Sequence, residues 1–368
     1  MATRSQTRKA PPRFAVRVAS RLRQLLLRAA DRMLPAHLAL LEHTHGFATT
    51  HILATMAELG VADHLASGPQ TAQQLAARTG CDPDALHRLL RAAAVASVVR
   101  LDEHGRFHST RFTEVLRSDH ESGAADWCRY IGSTAQQSAW LDLTESVRSG
   151  RSAWRRVHGT SMFEWFDAHP DERRQFAAGL GGLTLVETPA IVGGYPFPTT
   201  GTVCDLGGGR GVLLAGLLDA RPDLRGVLVE SPAVLDQARS YLRGRGLEHR
   251  VELVEGDLLG RVEAKADVYL LKWILHDWDD PTCVRLVRSV AATMPAGSRL
   301  VVVEGSQPRN TVDPRFSMID LQMLVVTEQG RERSADELAA LLAAGGLVPG
   351  AVRRSSTGLL LAEATKPG

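Results

Sequence analysis

The chain has 368 residues, 44% apolar and 23% charged, and its 43 basic and 41 acidic side chains leave a net charge of only +2. That length exceeds the ~100–200 residues of an ordinary domain, so two units are expected, and the composition excludes a disordered chain. The charge balance argues against wholesale nucleic-acid binding, and no uncharged apolar run approaches the ~20 residues of a membrane span.

Residues 1–35 read as an appendage, with nine basic side chains against one acid, Asp31. Phe14, Val18, Leu22, Leu25 and Leu26 recur at helical spacing, the pattern of a basic amphipathic helix that can lie on an anionic membrane; a solvated or partly docked extension is the plainer alternative. A continuous apolar h-region and a small-residue cleavage site are both missing, so it does not read as a secretory signal. Cys81, Cys128, Cys204 and Cys283 are widely spaced with no C-x-x-C pair. Neither a zinc site nor a disulfide framework follows, and a reducing, cytoplasmic setting is expected.

From about 36 to 68, apolar residues at helical intervals with few charges predict helices buried on most sides, which often need a partner subunit. The next stretch, to about residue 112, gives a capped helix, a turn at 80–83, a second helix and a strand pair turning at 103–105. That is the order of a winged helix-turn-helix. Its second helix offers only His87, Arg88 and Arg91 to a nucleic acid, so a structural or dimerisation role is preferred. Residues 110–195 read as mostly helical and hold Trp127, Trp140, Trp154 and Trp165, a concentration of rings that could line a pocket for a flat ligand or serve as core. A helical domain over 36–195 and a second domain over 196–368 follow, with the turn-rich 193–201 between them.

After that boundary, strand and helix patterns alternate, predicting an α/β fold with a parallel, doubly wound sheet. Ligands bind such sheets at the carboxyl ends of the strands, near the point where strand order reverses. The first strand ends at Asp205 and runs into Gly207, Gly208, Gly209 and Gly211, spaced D-x-G-x-G-x-G. Val212 stands where a dinucleotide fingerprint needs glycine or alanine, which disfavours a pyrophosphate. Glu230 ends the next strand, placed to accept hydrogen bonds from ribose hydroxyls, and Asp257 ends the one after. A Gly-rich loop, an acid and an acid at successive strand ends describe an adenosine site without a phosphate cradle, hence S-adenosyl-L-methionine (SAM).

In DLGGGRG, VEGD, LKWILHDWDD and GRERS the chain resembles the SAM-dependent O-methyltransferases that join an N-terminal winged-helix dimerisation domain to a Rossmann-like catalytic domain. That family includes plant phenylpropanoid and hydroxyindole enzymes and a bacterial polyketide-tailoring branch such as carminomycin O-methyltransferase. The resemblance spans about residues 36–365 and implies a homodimer acting on an aromatic small molecule; on the composition above, no nucleic acid and no membrane span are expected. It implies SAM contacts at Asp205, Gly207, Gly209, Glu230, Asp257, Leu258 and Lys272, with Glu230 departing from the aspartate more usual there. It also implies a catalytic base at His276 with neighbouring acids Asp277, Glu304 and Glu332, and an acceptor wall of Trp140, Phe163, Phe166, Trp273 and Met323. Met323 equally suits the core period of its helix.

The residues themselves support part of this. The strand DVYLLKW should end near Lys272, which leaves His276 on the loop beyond, while Glu304 ends the next strand; consecutive strands are commonly neighbours, so both side chains can reach one cleft. An acid beside an imidazole fixes its tautomer and stabilises the imidazolium formed on taking a proton. His43, His45 and His51 lack a metal-ligand spacing, and no metal is expected. Two alternatives stay open: a SAM-using enzyme of the same fold with non-methylating chemistry such as hydroxylation, and a DNA-binding regulator that senses a metabolite.

Overall fold

The computed structural model describes residues 12–256, 258–260, 263–308 and 310–368. Contacts divide the chain discontinuously: 18–138 with 165–183 form one unit, and 139–164 with 184–368, joined by 12–17, form the other. Residues 139–164 and 184–195, grouped with the helical region on sequence, thus belong to the unit that carries the large sheet.

In the first unit the winged order is present. Thr71 and Gln74 form a reciprocal capping box at the start of the helix Ala72–Thr79, and Asp82 caps Pro83–Val95, whose proline occupies a first-turn position where no amide donor is needed. The turn between them is made at Gly80, with φ +70°. Strands β1 (Gln70–Thr71), β2 (Val99–Leu101) and β3 (Arg106–Ser109) pair in the order β1-β3-β2. Met56, Leu65, Leu75, Leu86, Leu90 and Phe107 fill the core between helices and wing.

The second unit holds a seven-stranded sheet of β4 (Thr200–Leu206), β5 (Asp223–Glu230), β6 (Val251–Glu255), β7 (Val268–Lys272), β8 (Arg299–Glu304), β9 (Val348–Arg354) and β10 (Leu360–Thr365). Its order is β6-β5-β4-β7-β8-β10-β9. Strands β4 to β8 pair in parallel; β4, β5, β7 and β8 carry the buried apolar runs expected of strands covered on both faces, while β6 is the partly exposed edge. The sheet is mixed, because β10 runs antiparallel to both β8 and β9. Only the turn 355–359 separates β9 from β10, closed by Ser355 N–H donating to Leu359 O at 2.8 Å, and a parallel pairing would need a crossover of a dozen residues or more.

From β4 the chain winds outward through β5 and β6, then returns to place β7 on the other side of β4. The reversal lies between β4 and β7, so their carboxyl ends flank the crevice where this architecture binds ligands. The helix Pro170–Gly194 is long and apolar enough to cross a membrane by length and composition alone. Its Glu187 is buried between Lys272 and Arg315, a core pairing of the second unit.

Candidate active site

β4 ends at Leu206, and the chain turns on Gly207, which has φ +66°. A Cβ there would sit 2.8 Å from Ile274 Cδ1 and 2.9 Å from Leu258 Cδ1, and one on Gly208 would sit 2.4 Å from Asp205 Oδ2. The loop therefore packs its backbone directly under the strand ends, and Leu258 is brought to it. Asp205 is buried with neither carboxylate oxygen accepting a hydrogen bond of normal geometry. Burial pushes its pKa up to about 7; Lys272 and the Leu214 amide oppose that rise and Glu230 adds to it. Glu230 ends β5 and accepts from the Ser231 amide. Asp257 lies outside the described residues.

The loop after β7 begins with a local irregularity. Trp273 has φ +54°, a left-handed conformation costly for a bulky residue and most often kept at functional sites. Its amide still bonds to Val303 O at 3.1 Å, and its indole N–H donates to Glu187 Oε2 at 3.2 Å. The chain then makes a single turn, Leu275–Asp277, that carries His276. Glu304, at the end of β8, uses one carboxylate oxygen to accept the Ile274 and Leu275 amides at 3.0 and 2.8 Å. His276 Nδ1 lies 2.8 Å from Glu332 Oε1, and its Nε2 lies 3.5 Å from Asp277 Oδ1.

Burial alone would lower the pKa of this imidazole, but the carboxylates of Asp277, Glu304 and Glu332 outweigh it and hold His276 at about 9. The acids respond in turn. Burial pushes Asp277 up to about 6 and Glu304 up to about 7, with the His276 charge opposing and Glu332 reinforcing in both. The second oxygens of Glu304 and Glu332 are buried without a hydrogen-bond partner. Donor atoms of His276, Glu304 and Glu332 fall within 4.8 Å of one another, close enough to ligate a cation; in this structure the group the carboxylates surround is the imidazole.

Two motifs clasp each other around this turn. Asp279 caps the helix Asp280–Thr293, and Ser334 caps Ala335–Ala344 through a capping box with Glu337, so Glu332 and Arg333 sit in the lead-in to a helix. The Arg333 guanidinium is buried and donates to Leu275 O and Trp278 O, both at 2.7 Å, and to Asp280. Arg333 thus ties down the carbonyls on both sides of His276. Burial would raise Asp280, but Arg333 and Arg331 hold its carboxyl below the usual range.

Lys272 meets Glu187 Oε2 and Thr184 Oγ1, both at 3.0 Å. Burial lowers the lysine pKa against the pull of Glu187, Asp205 and Glu304. Trp273 lies 4.9 Å from the His276 ring, and Phe163 stacks on Trp278 at 5.7 Å. Trp140 donates to Gln322 at 2.8 Å, one position before the buried Met323. Phe166 belongs to the other unit, buried against Tyr130 and Phe176.

Residues 140–348 match the family model of the O-methyltransferase domain, and residues 41–119 match that of the O-methyltransferase dimerisation domain. The chain is a member of the O-methyltransferase family. This O-methyltransferase is 40% identical over 297 residues to the mitomycin biosynthesis 6-O-methyltransferase of Streptomyces lavendulae, covering 79% of this chain and 83% of that one. Its fold superposes on LaPhzM with a TM-score of 0.87 and 34% identity, covering 90% of this chain and all of the other. It superposes on NcsB1, an O-methyltransferase from neocarzinostatin biosynthesis solved with SAM and 2-hydroxy-5-methyl naphthoic acid, with a TM-score of 0.73, 31% identity, and 87% and 96% coverage.

The enzyme uses SAM, and its residues fit that cofactor. A Cβ on Gly209 would meet nothing within 4 Å, so the loop backbone is open to a ligand there, and the buried Asp205 carboxylate, which makes no hydrogen bond of normal geometry, can accept from an ammonium. Sequence reasoning missed Glu187, Arg315 and the role of Arg333. Glu187 alone left a signal, a single acid inside the apolar stretch LTLVETPAIV.

Proposed function

We propose that this enzyme methylates a hydroxyl of a flat aromatic small molecule, a phenolic secondary metabolite, with His276 as general base. The observation that carries the reading is the buried contact of His276 Nδ1 with Glu332, 2.8 Å away, beside the crevice between β4 and β7. An Nδ1–H donated to Glu332 fixes the tautomer that leaves Nε2 to accept the phenol's proton. Asp277 and Glu304 then stabilise the imidazolium, and Glu304 also holds the loop through two backbone amides. Bound SAM supplies the electrophilic methyl and leaves as S-adenosylhomocysteine.

Asp205, Gly207, Gly209, Glu230, Leu258 and Lys272 bind and orient the cofactor. Trp273, Trp140, Phe163 and Met323 form the acceptor wall, with Trp278 added by its stacking on Phe163. Phe166 is assigned to core packing. An aromatic acceptor agrees with the naphthoic acid held by NcsB1 and with the mitomycin pathway of the Streptomyces relative. The working form is a homodimer built on residues 41–119, in the cytoplasm. Incubation with SAM and a panel of phenols, read by mass spectrometry, should give methylated phenol and S-adenosylhomocysteine in equal amounts. S-adenosylhomocysteine formed with no methylated product, across a panel that includes naphthols and hydroxybenzoates, would refute it.

A further inference from the structure

The helix Arg13–Arg32 precedes both matched family models. Six arginines and one acid, Asp31, lie in its sequence, and Asp31 faces His43 at 3.6 Å. Phe14, Val18, Leu22, Leu25 and Leu26 fall on one face at helical spacing. All are exposed, Leu22, Leu25 and Leu26 at 53%, 61% and 62%. Arg21, Arg28 and Arg32 border that face on one side and Arg23 on the other, where their aliphatic stems can lie along it and their heads reach outward.

We infer that this helix is a peripheral anchor that lies in the surface of an anionic lipid bilayer. A wide apolar face edged by arginine, on a helix that is amphipathic rather than apolar all round, is the composition that partitions into the headgroup–acyl boundary rather than across it. Charge decides between occupants. A second copy of the helix packed face to face would bring like charges together, and the family dimerisation model begins only at residue 41. A nucleic-acid backbone would satisfy the arginines and leave the leucine face in water. An anionic membrane satisfies both, the acyl boundary taking the leucines and the headgroups the guanidinium groups.

The test is flotation of the full chain with vesicles of phosphatidylcholine containing about 30% phosphatidylglycerol, against vesicles of phosphatidylcholine alone. The protein should float with the anionic vesicles, more weakly as salt rises, and much less with neutral ones. Arg21→Gln with Arg28→Gln should weaken binding by roughly thirtyfold, about fivefold for each charge. Leu22→Gln with Leu25→Gln should weaken it at least about tenfold, with methyltransferase turnover on a soluble acceptor unchanged. No flotation with anionic vesicles overturns the inference. So does equal flotation of the leucine variant and the parent, which would mean attraction by charge alone. A parent that ignores vesicles but halves its mass in light scattering on the leucine substitutions would assign the face to a second copy, which also overturns it.

Discussion

Glu332→Gln removes one negative charge 2.8 Å from His276 Nδ1 while keeping the size of the side chain and a carbonyl oxygen that can accept the Nδ1 proton. Burial pulls the pKa of His276 down, and three carboxylates together hold it at about 9. Loss of an adjacent opposite charge shifts a pKa by ~1–3 units; with Asp277 and Glu304 still present, a fall of about one to two units is expected, or about 1.4–2.7 kcal/mol. The direction is downward, because the imidazolium loses the partner and the neutral ring does not. At pH 7 a pKa of about 9 leaves roughly 1% of the imidazole neutral, and a pKa of about 7.5 leaves roughly a quarter. The variant also has a weaker base, so its alkaline plateau should fall, on the order of tenfold or less.

These two effects oppose each other, and their balance changes with pH. The ratio of variant to wild-type kcat/KM for a phenol of ordinary acidity, at saturating SAM, should be lowest in alkaline buffer and climb as pH falls toward 6. Imidazole NMR titration of the ligand-free protein should show the His276 midpoint moving down by the same one to two units. Parallel pH profiles with an unchanged NMR midpoint would refute the assignment of Glu332 as the group that sets the basicity of His276.

Other consequences are independent of that one. His276→Ala should lower kcat by ~10²–10⁴-fold on an un-ionised phenol and leave SAM affinity by calorimetry nearly intact, with the loss smallest for an acidic phenol; wild-type turnover with methyl transfer rate-limiting would sink it. SAM affinity should rise with pH through about 7, because Asp205 carries its charge only above its raised pKa, and Asp205→Asn should flatten that dependence in calorimetry. Gly208→Ala puts a methyl 2.4 Å from Asp205 Oδ2 and 2.7 Å from Leu228 Cδ1, so SAM should bind at least about tenfold more weakly; an unchanged Kd would show that the loop relaxes freely. Arg333→Met strips a charged donor from two carbonyls beside His276, and denaturant unfolding should show at least about 2 kcal/mol of lost stability together with a kcat loss larger than any change in KM.

Much of this enzyme was legible without coordinates because its signals are local. Apolar runs of five to eight residues marked β4, β5, β7 and β8, two of them ending in the acids Glu230 and Glu304, and a loop of closely spaced glycines with a histidine past a strand end marked the two lips of the crevice. A polar cap announced the helix that starts after Thr71. Each of these follows from backbone sterics and from the period of burial, which a residue shares with near neighbours along the chain.

What joins distant segments was decided only in three dimensions. Glu187 reaches Lys272 and Arg315 from the apolar half of its helix, and Arg333 reaches back to Leu275 and Trp278. Phe166 and Phe163 are three residues apart, yet one is core in one unit and the other stacks on Trp278 in the other. The final strand pair is antiparallel because its connection is short, a fact of chain path rather than of strand composition. Local sequence determines which residues prefer a helix, a strand or a buried face; which buried polar group meets which partner depends on the packing of elements far apart in the chain, and that pairing sets the charge on His276.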